Sequence, residues 1–252
     1  MSLRCFFCEN IAGQGGISNV SDEERKHIFI SLRKSDGDRI MLIDGKGTKA
    51  VAAIENQQIV IVSRETVQRI VPELHLFFSP PHNRNSTDSI LDQSAELGIA
   101  SITPIITEKS VSKPEKPAER WKKRLVEACK QSKNPFLPEI GDVLTLKEAM
   151  EKTKFQGFTS FFGCLAENTG EGIEIPKSAK LAWFVGPEGG FTQKEDELMK
   201  KSGFIPLRLP GWTLRTETAC ATGTAIIFLV LRPCTQEIPS DFPASNVLGN
   251  AL

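Results

Sequence analysis

Phe184-Val185-Gly186-Pro187-Glu188-Gly189-Gly190-Phe191-Thr192-Gln193-Lys194-Glu195 decides how this chain is to be read. The apolar run Leu181 to Val185 ends as a strand ends, and a turn rich in glycine follows at once. Thr192 and Glu195 then have the spacing of a capping box, in which a hydroxyl and a carboxylate satisfy the orphan amides of a helix start. Strand, glycine turn and helix N-terminus in that order belong to α/β folds, whose ligands sit beyond the carboxyl ends of parallel strands. Glycine lets backbone approach a ligand with no Cβ in the way, and a helix N-terminus favours negative charge. A tight connection with no ligand is the plain alternative. The run is neither a Walker loop, since no Gly-Lys-Ser/Thr follows, nor a GxGxxG.

A second loop stands further along. Leu209-Pro210-Gly211-Trp212 closes another strand, and Leu214-Arg215-Thr216-Glu217-Thr218-Ala219 opens a helix. Thr216 can cap that helix, and Glu217 in its first turn complements the dipole. Capping does not account for Arg215, placed where a guanidinium can reach phosphate or substrate. Ala219, Ala221, Gly223 and Ala225 make this a helix of small residues. Gly223 costs about 1 kcal/mol of helix stability against Ala. The small residues allow close approach, either within the core or across a subunit interface.

Around the two loops, strands and helices alternate. Strands are expected over 74–78, 99–106, 158–165, 181–185 and 205–209, and helices over 86–97, 118–132, 192–201 and 217–231. That alternation implies a parallel α/β sheet. The first seventy residues are instead β-rich. Ile40 to Ile43, the turn Asp44-Gly45-Lys46-Gly47, Ala50 to Ile54 and Ile59 to Val62 suggest a small barrel. The expected division is 1–72, 73–236 and a tail over 237–252.

The chain has 252 residues, 40% hydrophobic and 25% charged, which excludes a disordered protein and suits two domains. A net charge of zero excludes nucleic-acid binding through overall charge alone. The basic residues are nevertheless clustered. Lys109, Lys113, Lys116, Arg120, Lys122, Lys123, Arg124, Lys130 and Lys133 face only Glu115, Glu119 and Glu127 in the same stretch. Such a run is either the solvated face of an amphipathic helix or a phosphate-contacting surface, aided by Arg25, Lys26, Arg33 and Lys34. The six cysteines are scattered as reduced thiols in a cytoplasmic protein are. Cys5 and Cys8 form a CxxC, but Phe6-Phe7 between them reads as strand, and no metal is expected. No signal peptide opens the chain, and Ala225 to Leu231 falls far short of the ~20 residues of a membrane helix.

Gly186 to Phe191 and Leu214 to Ala219, in that order, resemble the two signature loops of the RsmE family in the SPOUT superfamily. Phe6-Phe7, His27, Leu32-Arg33, Gly37-Asp38, Asp44 to Gly47, Glu96-Leu97-Gly98 and Gln131-Ser132 extend the resemblance over nearly the whole chain. Members of that family use S-adenosylmethionine to methylate N3 of a uridine in 16S rRNA of the small ribosomal subunit. The resemblance implies a C-terminal trefoil-knotted α/β domain, a PUA-like RNA-binding β-barrel before it, and a homodimer. It also implies a cofactor held among three loops, by Leu165, by Gly186, Pro187, Glu188, Gly189 and Gly190, and by Leu209, Gly211, Leu214, Thr216, Thr218 and Ala219.

Uracil N3 must lose its proton before it attacks, so the developing anion needs a partner. Arg215 is the expected one, oriented by Glu217. His27, His75 and His82 lie far from both loops in sequence and read as packing or surface residues. Arg25, Lys26, Arg33, Lys122, Lys123, Arg124 and Lys133 are the expected RNA contacts. The chain departs from the family at Gln93, where Lys is usual, at Pro210-Gly211-Trp212-Thr213, where Gly-Pro-Arg-Ile is usual, and at Lys133, where Arg is usual. These departures touch the RNA-facing side. The losses at Gln93 and Trp212 keep open a non-catalytic RNA-binding ribosome-assembly protein, and another SPOUT activity such as ribose 2′-O-methylation is the second enzyme reading.

Overall fold

The computed structural model describes residues 3–164 and 180–231. Leu165 to Glu167, Cys234 and the tail over 237–252 lie outside the described residues. Near the N-terminus, β1 (Cys5–Phe7), β2 (Ile17–Ser18), β3 (Arg39–Ile43), β4 (Thr48–Glu55) and β5 (Gln58–Thr66) form one sheet in the order β1-β3-β4-β5-β2. Buried and less buried residues alternate along β4, as in a strand with one face on a core. Asn56 and Gln57, at φ 49° and 59°, make the two-residue hairpin between β4 and β5. Asp44 Oδ1 accepts from the amides of Lys46 at 2.7 Å and Thr48 at 2.9 Å, which fixes the turn expected there. Phe6, Ile40, Leu42, Ile54 and Ile59 form the core. It is closed by α1 (Asp22–Lys26) and a π-helical turn, His27–Ser31, that buries Ile28.

The second sheet holds β6 (Glu73–Phe78), β7 (Ser101–Ile106), β8 (Glu139–Ile140), β9 (Leu144–Thr145), β10 (Thr159–Gly163), β11 (Lys180–Val185) and β12 (Ile205–Leu207). Its order is β12-β10-β11-β6-β7-β8, with β9 also on β7, and every pairing is parallel. Leu181 to Val185 are all buried, the near-continuous apolar run of a strand covered on both faces. On one face α2 (Arg84–Glu96), α3 (Arg120–Ser132) and α6 (Thr216–Leu231) bury Ile90, Leu91, Trp121, Leu125 and Ile227 against Leu76 and Trp183. On the other, α4 (Leu146–Phe155) and α5 (Gln193–Lys201) bury Ala149, Met150 and Met199 with Phe77 and Phe184. α4 is not among the expected helices. Its start nevertheless carries the same signal as residues 192–195, a complete capping box between Thr145 and Glu148.

Two features position the site. The chain steps outward from β6 through β7, β8 and β9, then returns to the far side with β10, and β11 enters between β6 and β10. The reversal makes a switch point beside β11. Gly223 of α6 rests on the buried indole of Trp183: a Cβ built there would lie 2.7 Å from Nε1 and closer still to Cε2 and Cζ2. This glycine serves intrachain packing, and what approaches it is a ring of the sheet.

The two sheets' layers are joined by charge. Lys130 of α3 and Glu24 of α1 pair at 2.6 Å, with side chains only 8% and 10% exposed. Burial opposes the Lys130 charge, but bonds from Glu127 and Glu24 outweigh it and raise the ammonium above its ordinary pKa. Lys123 and Glu23 pair at 2.7 Å beside them. Gly47 docks the β3–β4 turn against Phe136, whose ring a Cβ would meet at 2.6 Å.

Candidate active site

Loops at the carboxyl ends of β10, β11 and β12 enclose a cavity of about 340 Å³, within the range of ~300–1,000 Å³ typical of small-molecule sites. Gly163 and Cys164 line it from β10, Gly186, Pro187, Glu188 and Gly190 from the loop after β11. Leu207 to Leu209, Gly211 to Leu214, Thr216 and Ala219 complete it.

The glycine turn is tightly specified. A Cβ on Gly186 would lie 3.1 Å from Phe191 N and 3.2 Å from Gly190 C, so the chain can fold back this closely only with glycine there. Gly190 takes φ 64°, in the left-handed region, and its amide donates to Pro187 O at 2.8 Å. Thr192 and Glu195 form the expected capping box, with Thr192 N donating to Glu195 Oε2 at 2.8 Å. The segment after β7 holds this loop from outside. Lys109 Nζ donates to Gly189 O at 2.9 Å and to Phe191 O at 3.3 Å. Glu108 accepts from Thr192 Oγ1 at 3.1 Å and donates its amide to Glu195 at 2.8 Å. Lys109 thus holds the loop, rather than joining the basic run in which its sequence position placed it.

The second loop is tied to the first. Thr216 is buried, and its hydroxyl donates to Gly186 O at 3.5 Å. Arg215, whose carbonyl accepts from Ala219 N at 2.8 Å, holds the cap position expected of Thr216. Glu217 accepts from Ser86 Oγ of α2 at 3.1 Å. No ion pair joins it to Arg215 among the described residues, and Arg215 is exposed beside the cavity. Gly211 turns the chain at φ 97°, and Trp212 follows at the rim, 94% exposed.

Of the expected cofactor residues, Gly186, Pro187, Glu188 and Gly190 line the cavity, as do Leu209, Gly211, Leu214, Thr216 and Ala219. Gly189 and Thr218 do not: a Cβ on Gly189 would meet Lys109 Cδ at 3.3 Å, and Thr218 is exposed. Gly163, Cys164, Val185, Leu207 and Arg208 line the cavity outside the expected residues. Gly163 and Cys164 follow from the strand-end rule once β10 is placed beside β11.

The expected RNA contacts divide. Lys26, Arg33 and Lys122 are exposed. Arg25 lies 4.9 Å over the Phe29 ring and donates to Gln57 O. Lys123 is paired with Glu23, and Arg124 with Asp92. Lys133 closes α3 in the left-handed conformation at φ 58°. His75 sits on β6 with Nδ1 2.7 Å from Ser101 Oγ, and burial pushes its pKa down to about 4.

A ligand cavity at the switch point of a parallel sheet, beside a small β-sheet unit, defines an α/β ligand-binding domain with an accessory β-domain. The chain belongs to the RNA methyltransferase domain family, which it matches over residues 69–228, and residues 20–62 match the RNA methyltransferase PUA domain. It is 29% identical over 227 residues to ribosomal RNA small subunit methyltransferase E of Aquifex aeolicus, covering 85% of this chain and 95% of that one. With the Bacillus subtilis protein of the same name it shares 26% over 230 residues, 80% and 85% of the two chains. Its fold matches a ribosomal RNA small subunit methyltransferase E from Neisseria gonorrhoeae bound to S-adenosyl methionine, with TM-score 0.80, 25% identity and coverage of 91% and 98%. A methyltransferase from Legionella pneumophila in complex with the same cofactor matches with TM-score 0.76, 26% identity and coverage of 91% and 98%.

Proposed function

We propose that this chain methylates N3 of a uridine in 16S rRNA of the small ribosomal subunit, with S-adenosylmethionine as methyl donor. The observation that carries the reading is the cavity closed by the Thr216–Gly186 bond, which joins the two signature loops around one space. The residues present fit the cofactor. Gly190 and Gly211, where an added Cβ would meet nothing within 4 Å, leave space open at the lining, and half-buried Leu207, Leu209 and Leu214 offer apolar walls to a nucleoside. Bound there, the cofactor supplies an electrophilic methyl group on a sulfonium.

The chain's own residues bind and orient. The glycine turn and the three leucines hold the donor, and Arg215 beside the cavity stabilises the negative charge left on the uracil when N3 gives up its proton. Glu217, bonded to Ser86, is a positioning residue that anchors the start of α6. Of the expected RNA contacts, Lys26, Arg33 and Lys122 are exposed and available to phosphates.

The wider reading includes a division near residue 72, a cytoplasmic homodimer, and a trefoil knot. Insertion of β11 between two earlier strands supports the knot, and exposed Leu229 and Val230 on α6 support a second subunit. Among the described residues no helix is long and apolar enough to cross a membrane. Calorimetric titration with S-adenosylmethionine, followed by nucleoside mass spectrometry of small-subunit rRNA from cells lacking the gene, tests the proposal. Saturable cofactor binding and loss of 3-methyluridine are expected. No binding, or persistence of the modification, refutes it.

A further inference from the structure

We infer that Trp212 is a stacking platform for a base of the single-stranded RNA that enters this site, an inference that rests on the methyltransferase reading. The chain has three tryptophans. Trp121 and Trp183 are 4% and 0% exposed, whereas Trp212 is 94% exposed on the rim of the cavity. Holding an indole in water leaves a large aromatic surface without a partner. The positive φ of Gly211 sets the turn that places it there.

The surroundings say what the partner is. The segment Arg208-Leu209-Pro210-Gly211-Trp212-Thr213-Leu214-Arg215 contains two arginines and no acid, and both arginines are exposed. An aromatic face flanked by cations is the arrangement that holds single-stranded nucleic acid, with phosphates on the cations and a base on the ring. Two other occupants fit less well. The half-buried Leu207, Leu209 and Leu214 are the apolar walls the cavity offers to the cofactor's nucleoside, whereas Trp212 lines the same cavity only at its rim, 94% exposed. A second copy meeting this segment with its own would set arginines against arginines, since the stretch from Arg208 to Arg215 holds no acid to pair them.

The inference gives this chain a substrate contact based on stacking. A base resting on the indole beside the cavity mouth orients the neighbouring nucleotide toward Arg215. Stacking tolerates any base, so Trp212 sets the path of the strand while the cavity selects the target.

The test uses the full-length protein and a short single-stranded oligouridylate. Because the other two tryptophans are buried, iodide quenching reports on Trp212, and oligouridylate is expected to shield it in the presence of saturating S-adenosylmethionine. Trp212→Ala is expected to weaken oligouridylate binding by about 5- to 100-fold, read by anisotropy of labelled RNA, with Trp212→Phe within about threefold of the parent. Self-association is expected to stay within about twofold for both variants, and cofactor affinity to fall by less than about tenfold, since Trp212 stands only on the rim of the cavity. Unchanged RNA affinity in Trp212→Ala, or no shielding from iodide, overturns the inference. So does a cofactor affinity lowered by about tenfold or more, which assigns the indole to the donor, or loss of self-association, which assigns it to a second copy. Failure of the intact protein to bind S-adenosylmethionine would sink the methyltransferase reading and is read separately from the RNA arm.

Discussion

Gly223→Ala is the sharpest test of how α6 is held against the sheet. The added Cβ would sit 2.7 Å from Trp183 Nε1 and nearer to Cε2 and Cζ2, where carbon contacts settle at about 3.5–4.0 Å. Trp183 is wholly buried, so the ring cannot swing into empty space. Either the indole leaves its rotamer or α6 moves off the sheet by about 1 Å. Overpacking of this kind costs about 1–3 kcal/mol, and contact with several ring atoms at once puts it at the upper end. Replacing Gly by Ala inside a helix returns about 1 kcal/mol. The expected net loss is about 2 kcal/mol, read as a lower urea midpoint with an unchanged slope. Moving α6 also stretches the Thr216–Gly186 bond, so cofactor affinity should fall with stability. Combining the change with Trp183→Leu, which has no ring atoms at the crowded positions, should recover about 1 kcal/mol or more relative to the sum of the single variants. A Gly223→Ala protein as stable as its parent, or strict additivity in the double variant, would refute this account of the packing.

Arg215→Ala should lower methyl transfer by about a hundredfold or more while cofactor affinity, measured by calorimetry, stays within about tenfold; the reverse pattern would move Arg215 into the donor site. Lys109→Met removes the ammonium bonded to Gly189 O and Phe191 O, and cofactor affinity should fall about tenfold, the cost of one charge-assisted bond of about 1.5 kcal/mol. His75 gives a pH signature. Burial holds its pKa at about 4, with Lys180, Arg69 and Lys152 adding repulsion and Glu73 at 3.7 Å opposing them. Between the unfolded value of about 6.5 and about 4 the unfolded chain binds the extra proton, so stability falls as pH drops through that window and levels off below it. Denaturation midpoints at pH 7 and 5 should differ less in His75→Gln than in the parent.

The elements that could be read from sequence were those whose signal is local. β6, α2, α3, β11, α5 and α6 fall within a few residues of their expected ranges because apolar periodicity and caps mark them. β8 and β9 are two residues each and hold no period to read. α4 carries a readable signal, a capping box followed by buried Leu146, Ala149, Met150 and Thr153 at the i, i+3, i+4, i+7 spacing of a helix, and the sequence could have shown it. Strand order was invisible, since β11 pairs with β6 across a hundred residues through backbone bonds that any sequence can make. The same limit applies to the site. Both loops were legible as motifs, but not that Gly189 faces Lys109 while Gly186 packs against Gly190 and Phe191 of its own turn, for the two glycines are identical in sequence terms. A run of charge does not reveal its partners either: Lys123 and Arg124 look free until α1 and α2 bring Glu23 and Asp92 to them.

The late entry of β11 has a consequence for synthesis. Until residues 180–185 leave the ribosome, one edge of β6 lacks its strand, with Leu74, Leu76, Phe77 and Phe78 apolar along it. An open apolar edge is a template for pairing with other chains, and a domain still being translated exposes it for seconds. A fragment stopping short of residue 180 should therefore aggregate, and the intact chain should depend on a chaperone at that stage of translation more than at its end.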